Sequence, residues 1–328
     1  MSYVLSEEQQ LLKDSATDLF KGAPVALVRE LRDNNNSNSF STDLWKEMVE
    51  MGWTGLSISE ENGGLDFGVR GHGIVLEEAG RSLTNSPLHS LATSSYIIEK
   101  FGSDAQKASL EGIMMEGTVT ALAIQEGLHY QPTAPTTTAT KHEDHWHLSG
   151  EKSFVADGHV AGQFIVNAKT DDGISIFIVD AQADGVEVSK DFMMDARYYG
   201  SVVLSDVKVS SDQLLGEVGK GKKVIHAITD VANALIAAEL LGLMTEAFER
   251  TVAYLKERRQ FDRVIGTFQA LQHRAAQMYS EIEIAKSLVI KALDAIDEGD
   301  FMAPAICSMA KAKCSKVAQL VTNEGVQM

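Results

Sequence analysis

Lys256, Arg258, Arg259 and Arg263 place four cations within eight residues, with only Glu257 and Asp262 as opposing charges among them. Guanidinium groups offer forked N–H donors that match the oxygens of a phosphate or carboxylate, so such an island suggests an anionic ligand. The same residues also suit a solvated helix end, where cations complement the carbonyl-rich C-terminus, and both readings stand on the sequence alone. The background is acidic. Net charge is −17, from 29 Lys+Arg against 46 Asp+Glu, and nearly all of the excess lies before Lys223. That balance argues against nucleic acid as a general partner.

Other groupings carry less chemistry. The stretch GEVGKGKK (residues 216–223) nearly spells a phosphate-binding loop. It ends in Lys223 where a magnesium-binding hydroxyl belongs and carries Glu217 where backbone amides should meet phosphate, so it reads as an entry into a helix. His142, Glu143, Asp144, His145 and His147 resemble a metal cluster, with His145 and His147 on one face of a strand. They sit on a hairpin with no distant Cys or His pattern to answer them, and no metal is assigned. There is no Gly-x-Ser-x-Gly nucleophile elbow. Gly68, Gly71 and Gly73 do not follow a strand, so they make no dinucleotide fingerprint. The pairs Met114-Met115 and Met193-Met194 read as gap-filling core residues.

The elements that position these groups fall into three stretches. Residues 1–117 read as a helical domain: Ser6 and Gln9 form a capping box, a polar run covers residues 34–39, a short helix runs from about Leu44 to Met51, and helical patterns cover 73–78, 90–101 and 105–115. Residues 118–220 change period. Runs rich in Val, Ile, Phe and Thr at 118–125, 145–155, 163–169, 174–180 and 201–209 are separated by Gly and Asp turns, with Asp171-Asp172-Gly173 as a hairpin signal. No helix-length pattern interrupts them, which predicts an antiparallel barrel or sandwich. Residues 221–328 read as a helical bundle. Leu271, Ala275, Met278, Ile282, Ala285, Val289, Ala292 and Ile296 recur at alternating spacings of four and three, and Pro304 suits the first turn of a further helix. That helix has no stop signal before Met328, so the bundle reads as truncated there. Cys307 and Cys314 lie about 10 Å apart along one helix, too far to be bridged, and read as buried thiols of a reducing compartment. No targeting segment and no membrane span is read, which makes the cytoplasm the expected location.

The stretch LKERRQFDRVIGTFQALQH (residues 255–273) resembles the bundle signature of the acyl-CoA dehydrogenase family. The likeness extends to MGWTGLSISEENGG (51–64), LSGEKSF (148–154), SDVKV (205–209) and NEGVQM (323–328), and so covers essentially the whole chain. From AAELLG (237–242) to His273 it is most similar to small subunits of two-component enzymes of the pimeloyl-CoA dehydrogenase type. The resemblance implies an α+β fold of N-terminal helices, a central β-domain and a C-terminal four-helix bundle. It implies FAD as cofactor, desaturation of an acyl-CoA thioester between Cα and Cβ in fatty-acid β-oxidation or related lipid metabolism, electron transfer to an electron-transfer flavoprotein, and homo- or hetero-oligomers. An alternative is a catalytically silent partner that completes or stabilises the FAD site of an active paralogue.

Carried over by position, Arg258 matches an arginine that meets the FAD pyrophosphate, Phe261, Phe268 and Gln269 match neighbouring FAD contacts, and Gln327 matches a cofactor-binding glutamine. Phe154 and Ala156 match the Trp-x-Thr that packs on the flavin, and Ala156 lacks the threonine hydroxyl. QEGLHYQP (125–132) replaces the family's Thr-Glu-Pro-Gly-x-Gly-Ser-Asp-like loop along flavin and thioester. The family's base stands either on the first bundle helix, where this chain has Ala232 followed by a substrate-side Asn233 in place of a common arginine, or in a late loop expected beyond Met328. Glu239 is two helical turns further on and is the candidate substitute, although a polar neighbour in the bundle is its plainer role.

Overall fold

The computed structural model describes residues 4–22, 25–34, 38–195 and 197–328. The polar run at 34–39 lies partly outside them. Two compact units emerge, one formed by Met1–Val28, Val69–Thr84 and Asp230–Met328, the other by Arg29–Gly68 and Asn85–Thr229.

The first helices follow their caps. Ser6 accepts from the Gln9 amide and Gln9 returns the bond, opening α1 (Glu7–Lys21). The sequence did not suggest helix α2 (Val25–Asp33). Ser41 caps α3 (Thr42–Glu50), and α4 (Gly68–Ser82) and α5 (Leu88–Phe101) extend the predicted 73–78 and 90–101 patterns. The single helix expected over 105–115 is two: a second capping box, Ser103 with Gln106, opens α6 (Asp104–Ala108), which ends at Ser109, and α7 (Leu110–Glu116) follows.

In the second unit the sheet holds β1 (Thr120–Ala123), β2 (Thr138–His142), β3 (His145–Ala156), β4 (Gln163–Thr170), β5 (Gly173–Asp180), β6 (Val186–Phe192), β7 (Tyr198–Ser210) and β8 (Leu214–Leu215). The order is β6-β7-β3-β2-β4-β5-β8, with β1 beside β4. Most pairs are antiparallel as expected, but β4 runs parallel to β1 and to β2, so the sheet is mixed. Neither β2 nor β6 is among the expected strand runs, although the hairpin expected at His142–His147 implies an arm before it, because both strands are largely exposed and polar, with little hydrophobic alternation to mark them. Strands β4 and β5 are buried on both faces. Phe164, Val166, Phe177 and Val179 pack with Trp146, Leu148, Val202 and Leu204 on one side. On the other, Ile165 and Ile176 meet Leu91, Ile98, Leu110 and Ile225.

The other unit is built on α8 (Gly221–Glu257) from Asp230 onward, α9 (Gln269–Asp297) and α10 (Ala303–Gln327), with Pro304 in the first turn of α10 as expected. Helices α4 and α8 touch backbone to backbone: a Cβ on Gly242 would lie 1.7 Å from the Glu77 carbonyl oxygen, and one on Gly80 2.0 Å from that of Glu239. Asp297 caps α4 by accepting from the Val69 and Arg70 amides at 2.7 and 3.0 Å, while Arg70 reaches Asp294 at 2.7 Å. Burial pushes the Asp297 carboxyl up to about 6 against those amides. The stripe predicted on α9 is buried from Met278 to Ile296.

Two expectations are corrected. Met114 fills the core, but Met115 and Met194 are exposed, Met194 at 104%. Helix α8 contains a window long and apolar enough to cross a membrane, contrary to the reading that no such stretch exists, and half of that window is buried within the fold.

Candidate active site

Helix α8 ends at Glu257 and the chain folds back as a two-stranded hairpin, β9 (Arg259–Gln260) against β10 (Arg263–Val264). Both turn residues lie in the left-handed region, Phe261 at φ +54° and Asp262 at φ +60°. A two-residue hairpin loop favours that geometry because its twist matches the strands, although a bulky aromatic adopts it only under strain. The result holds the Phe261 ring 85% exposed. The base of the hairpin is fixed: the Arg258 amide donates to the Tyr254 carbonyl at 2.9 Å, and the Ile265 amide to the Arg258 carbonyl at 2.8 Å. Phe268 lies edge-on to Phe261 with ring centroids 6.2 Å apart, and the Arg263 guanidinium sits 5.3 Å from the Phe268 centroid. Carboxylates pair Arg81, Arg250 and Arg274. Arg258, Arg259 and Arg263 form no salt bridge among the described residues, and Arg259 reaches only the Asp262 carbonyl at 3.4 Å.

The structure therefore gathers Arg258, Phe261, Phe268 and Gln269, the last being the exposed first residue of α9. Gln327 ends α10 and lines a cavity of about 460 Å³ with Arg250, Thr251 and Tyr254, one turn before Arg258. Ala232 and Asn233 are half-buried on α8. Glu239, half-buried at the α4 crossing, stands seven residues beyond Ala232, about 10 Å along the axis.

Phe154 and Ala156 belong to the other unit. The register between β3 and β7 slips between Lys152 and Val155, forming a bulge that contains Ser153 and Phe154. Phe154 adopts φ +53° there and is 42% exposed. Bulges re-aim a side chain, and an aromatic in the left-handed region marks a backbone fixed by its surroundings. Ala156 is half-buried at the end of β3.

Sequence reasoning missed the densest polar cluster beside that bulge. Lys152 is fully buried. Its ammonium donates to Glu126 Oε1 at 2.6 Å, to the Asn167 carbonyl at 2.7 Å and to Asn167 Oδ1 at 2.6 Å. Burial alone would raise the Glu126 carboxyl, but hydrogen bonds from Lys152, Thr136 and Thr137 outweigh it and hold it at about 2. Burial lowers Lys152 to about 8 in spite of Glu126. The signal was available: Trp146 and Leu148 alternate inward, and the same period brings Lys152 inside.

The remaining candidates do not assemble into chemistry. The rings of His142, His145 and His147 lie 4.8–6.0 Å apart, but no group able to hold a metal ion occurs among the described residues. Cys307 and Cys314 are buried free thiols pushed up by burial to about 12.

The sequence matches the acyl-CoA dehydrogenase N-terminal domain over residues 6–117, the middle domain over 124–207 and the C-terminal domain over 219–328. The chain belongs to the acyl-CoA dehydrogenase family. It is 33% identical to the short-chain-specific acyl-CoA dehydrogenase of Megasphaera elsdenii, over 100% of this chain and 89% of that one. It is 30% identical to the 3-(aryl)acrylate reductase of Clostridium sporogenes, over 98% and 88% of the two chains. Butyryl-CoA dehydrogenase from Megasphaera elsdenii superposes with a TM-score of 0.91 at 28% identity, covering 100% of this chain and 89% of that one.

Acyl-CoA dehydrogenases are flavoproteins, and the hairpin chemistry fits the cofactor. Arg258, Arg259 and Arg263 offer guanidinium donors without carboxylate salt bridges among the described residues, and two aromatic rings flank them.

Proposed function

We infer that this acyl-CoA dehydrogenase binds FAD and desaturates an acyl-CoA thioester between Cα and Cβ. The observation that carries this is the family match along nearly the whole chain, joined to a basic, aromatic hairpin free of carboxylate salt bridges among the described residues. When bound, FAD supplies the acceptor for the β-hydrogen and passes electrons to an electron-transfer flavoprotein. The chain's own groups hold and orient. Arg258 forks onto phosphate oxygens, Phe261, Phe268, Gln269 and Gln327 contact the cofactor, and Phe154 presents an aromatic face to the flavin beside Ala156. Asn233 meets the substrate. Ala232 cannot take a proton, and Glu239, the first carboxylate beyond it on α8, is the residue to test as base. The working form is an oligomer, with copies of itself or with a second subunit of the same family.

The test is anaerobic addition of a panel of acyl-CoAs to the FAD-loaded chain, alone and with a co-purified family subunit, following flavin absorbance. Bleaching by an acyl-CoA is expected. Its loss in Glu239→Gln would assign the base to Glu239, whereas retention would place the base elsewhere. No bleaching in either preparation overturns the activity.

A further inference from the structure

Five donors converge on the two oxygens of Glu126. Oε1 accepts from Lys152 at 2.6 Å and from the Thr137 amide and hydroxyl at 3.1 and 2.7 Å. Oε2 accepts from the Thr136 amide and hydroxyl, both at 2.6 Å. Asn167 works from the opposite side. Its side-chain amide donates to the Ile124 carbonyl at 3.3 Å and to the Pro132 carbonyl at 2.6 Å, the residues just before and at the end of the 125–132 segment. Its own oxygens are both occupied by Lys152. Gly150 permits the approach, because a Cβ there would lie 2.4 Å from Thr137 Oγ1 and 2.7 Å from Thr137 Cα. One residue past Lys152, the Ser153 amide donates to the Gln125 carbonyl at 2.9 Å, which ties the loop to the bulge carrying Phe154.

Lys152 is thus the hub of a network, buried at the ammonium and open to solvent at Thr136, whose spokes fix both ends of the 125–132 segment and the entry into β2. The tip is left outside: Gly127, Leu128, His129 and Gln131 are exposed, and Tyr130 reaches the Thr229 hydroxyl at 3.2 Å. A buried ammonium is costly unless every donor and acceptor around it is matched, and here the matching acceptors come from a loop and a strand distant in sequence. A stability role alone would be served as well by an apolar residue in that place. What an apolar residue could not do is hold a loop of mixed polarity in one conformation against the Phe154 bulge.

We propose that Lys152 is a positioning residue: through Glu126 and Asn167 it locks the 125–137 loop to the Phe154 bulge, so that the two segments facing the flavin form one rigid wall. This rests on the proposed FAD site only for its second half, because the clamp itself is independent of any ligand. No covalent step is involved.

The experiment uses the full chain with Glu126→Gln, which keeps the side-chain size, and Thr137→Val, which removes one hydroxyl from the buried network and is the milder change. Hydrogen exchange of the FAD-free proteins reads the clamp. The amides of Thr136, Thr137 and Ser153 are expected to exchange at least tenfold faster in Glu126→Gln and several-fold faster in Thr137→Val, while amides of α9 are unchanged. FAD titration by fluorescence reads the wall, with affinity expected to fall at least tenfold in Glu126→Gln. Unchanged exchange at those three amides overturns the clamp. Faster exchange with unchanged FAD affinity overturns the positioning role and puts the failure in the assignment of these segments to the flavin. A fall in affinity that Thr137→Val reproduces in proportion to its exchange supports the proposal in full.

Discussion

The chain handles cations in two opposite ways. On the β9–β10 hairpin, Arg258, Arg259 and Arg263 stand exposed at the surface without carboxylate salt bridges among the described residues, their backbone fixed. At Lys152 a single ammonium is fully buried and meets three acceptors within 2.7 Å. Exposed donors without carboxylates cost little in water and remain available for an anion, whereas a buried one is tolerated only when the fold satisfies it completely. The first arrangement suits binding and the second suits holding. Substitutions at the two places should therefore separate ligand affinity from stability.

The largest expected effect is at the buried cation. Lys152→Met leaves Glu126 and Asn167 facing an apolar chain, and removing one partner of a buried pair costs about 3–5 kcal/mol of unfolding free energy. Denaturant unfolding measures it, and adding Glu126→Leu should return part of the loss, since the stranded carboxylate is then gone. A cost below about 1 kcal/mol would mean that water reaches the network and would dissolve the contrast with the hairpin.

The same pair sets a pH dependence. Glu126 is depressed from its ordinary 4.5 to about 2, so its contribution is fully present above pH 4.5 and is lost as pH falls toward 2. Lys152 is depressed from 10.5 to about 8, so between pH 8 and 10.5 the unfolded chain binds the extra proton and this group makes stability rise with pH. Comparing wild type with Lys152→Met at pH 3, 7 and 10 isolates both slopes. The difference should shrink at acid pH, and the variant should lack the alkaline rise.

Arg258→Ala comes next and reverses the pattern. Loss of a charge-assisted pair with phosphate should weaken FAD by about 1.5–3 kcal/mol, roughly ten- to a hundred-fold or slightly more, while unfolding free energy changes by less than about 0.5 kcal/mol. FAD titration and urea unfolding on one preparation check both halves. Equal losses in the two measurements would show that Arg258 belongs to the fold rather than to a ligand.

What the sequence made legible follows the same division. The hairpin cations were visible because they are neighbours in the chain, and α9 was visible because a helix repeats its buried face every three or four residues. The capping boxes at Ser6 and Ser103 are local for the same reason, although only the first was read. Lys152 stands within the LSGEKSF motif, but its role is hidden there, because Glu126 lies 26 residues before it and Asn167 15 after, and nothing local links them. The parallel pairing of β4 with β1 and β2 was hidden likewise, since strand type and run length carry no direction. Met194 misled because a thioether suits a core or a surface equally, and only the sheet edge beyond β6 decides.

The smallest expected effect sharpens the comparison most. Phe261 combines two features of the hairpin, an aromatic ring presented to solvent and a backbone at φ +54° that bulky residues adopt only under strain. Asparagine tolerates that region better, since its short side chain can bond locally. Phe261→Asn is therefore expected to stabilise the hairpin, by on the order of 0.5 kcal/mol, from relief of backbone strain. It also removes the edge-on partner of Phe268, 6.2 Å away, and the ring offered to the cofactor. If strain is kept here for binding, the variant gains thermal stability and loses FAD affinity together. A variant that loses stability and keeps its affinity would mean that the Phe261–Phe268 contact serves the fold, and the contrast between a holding cation and a binding hairpin would then rest on the arginines alone.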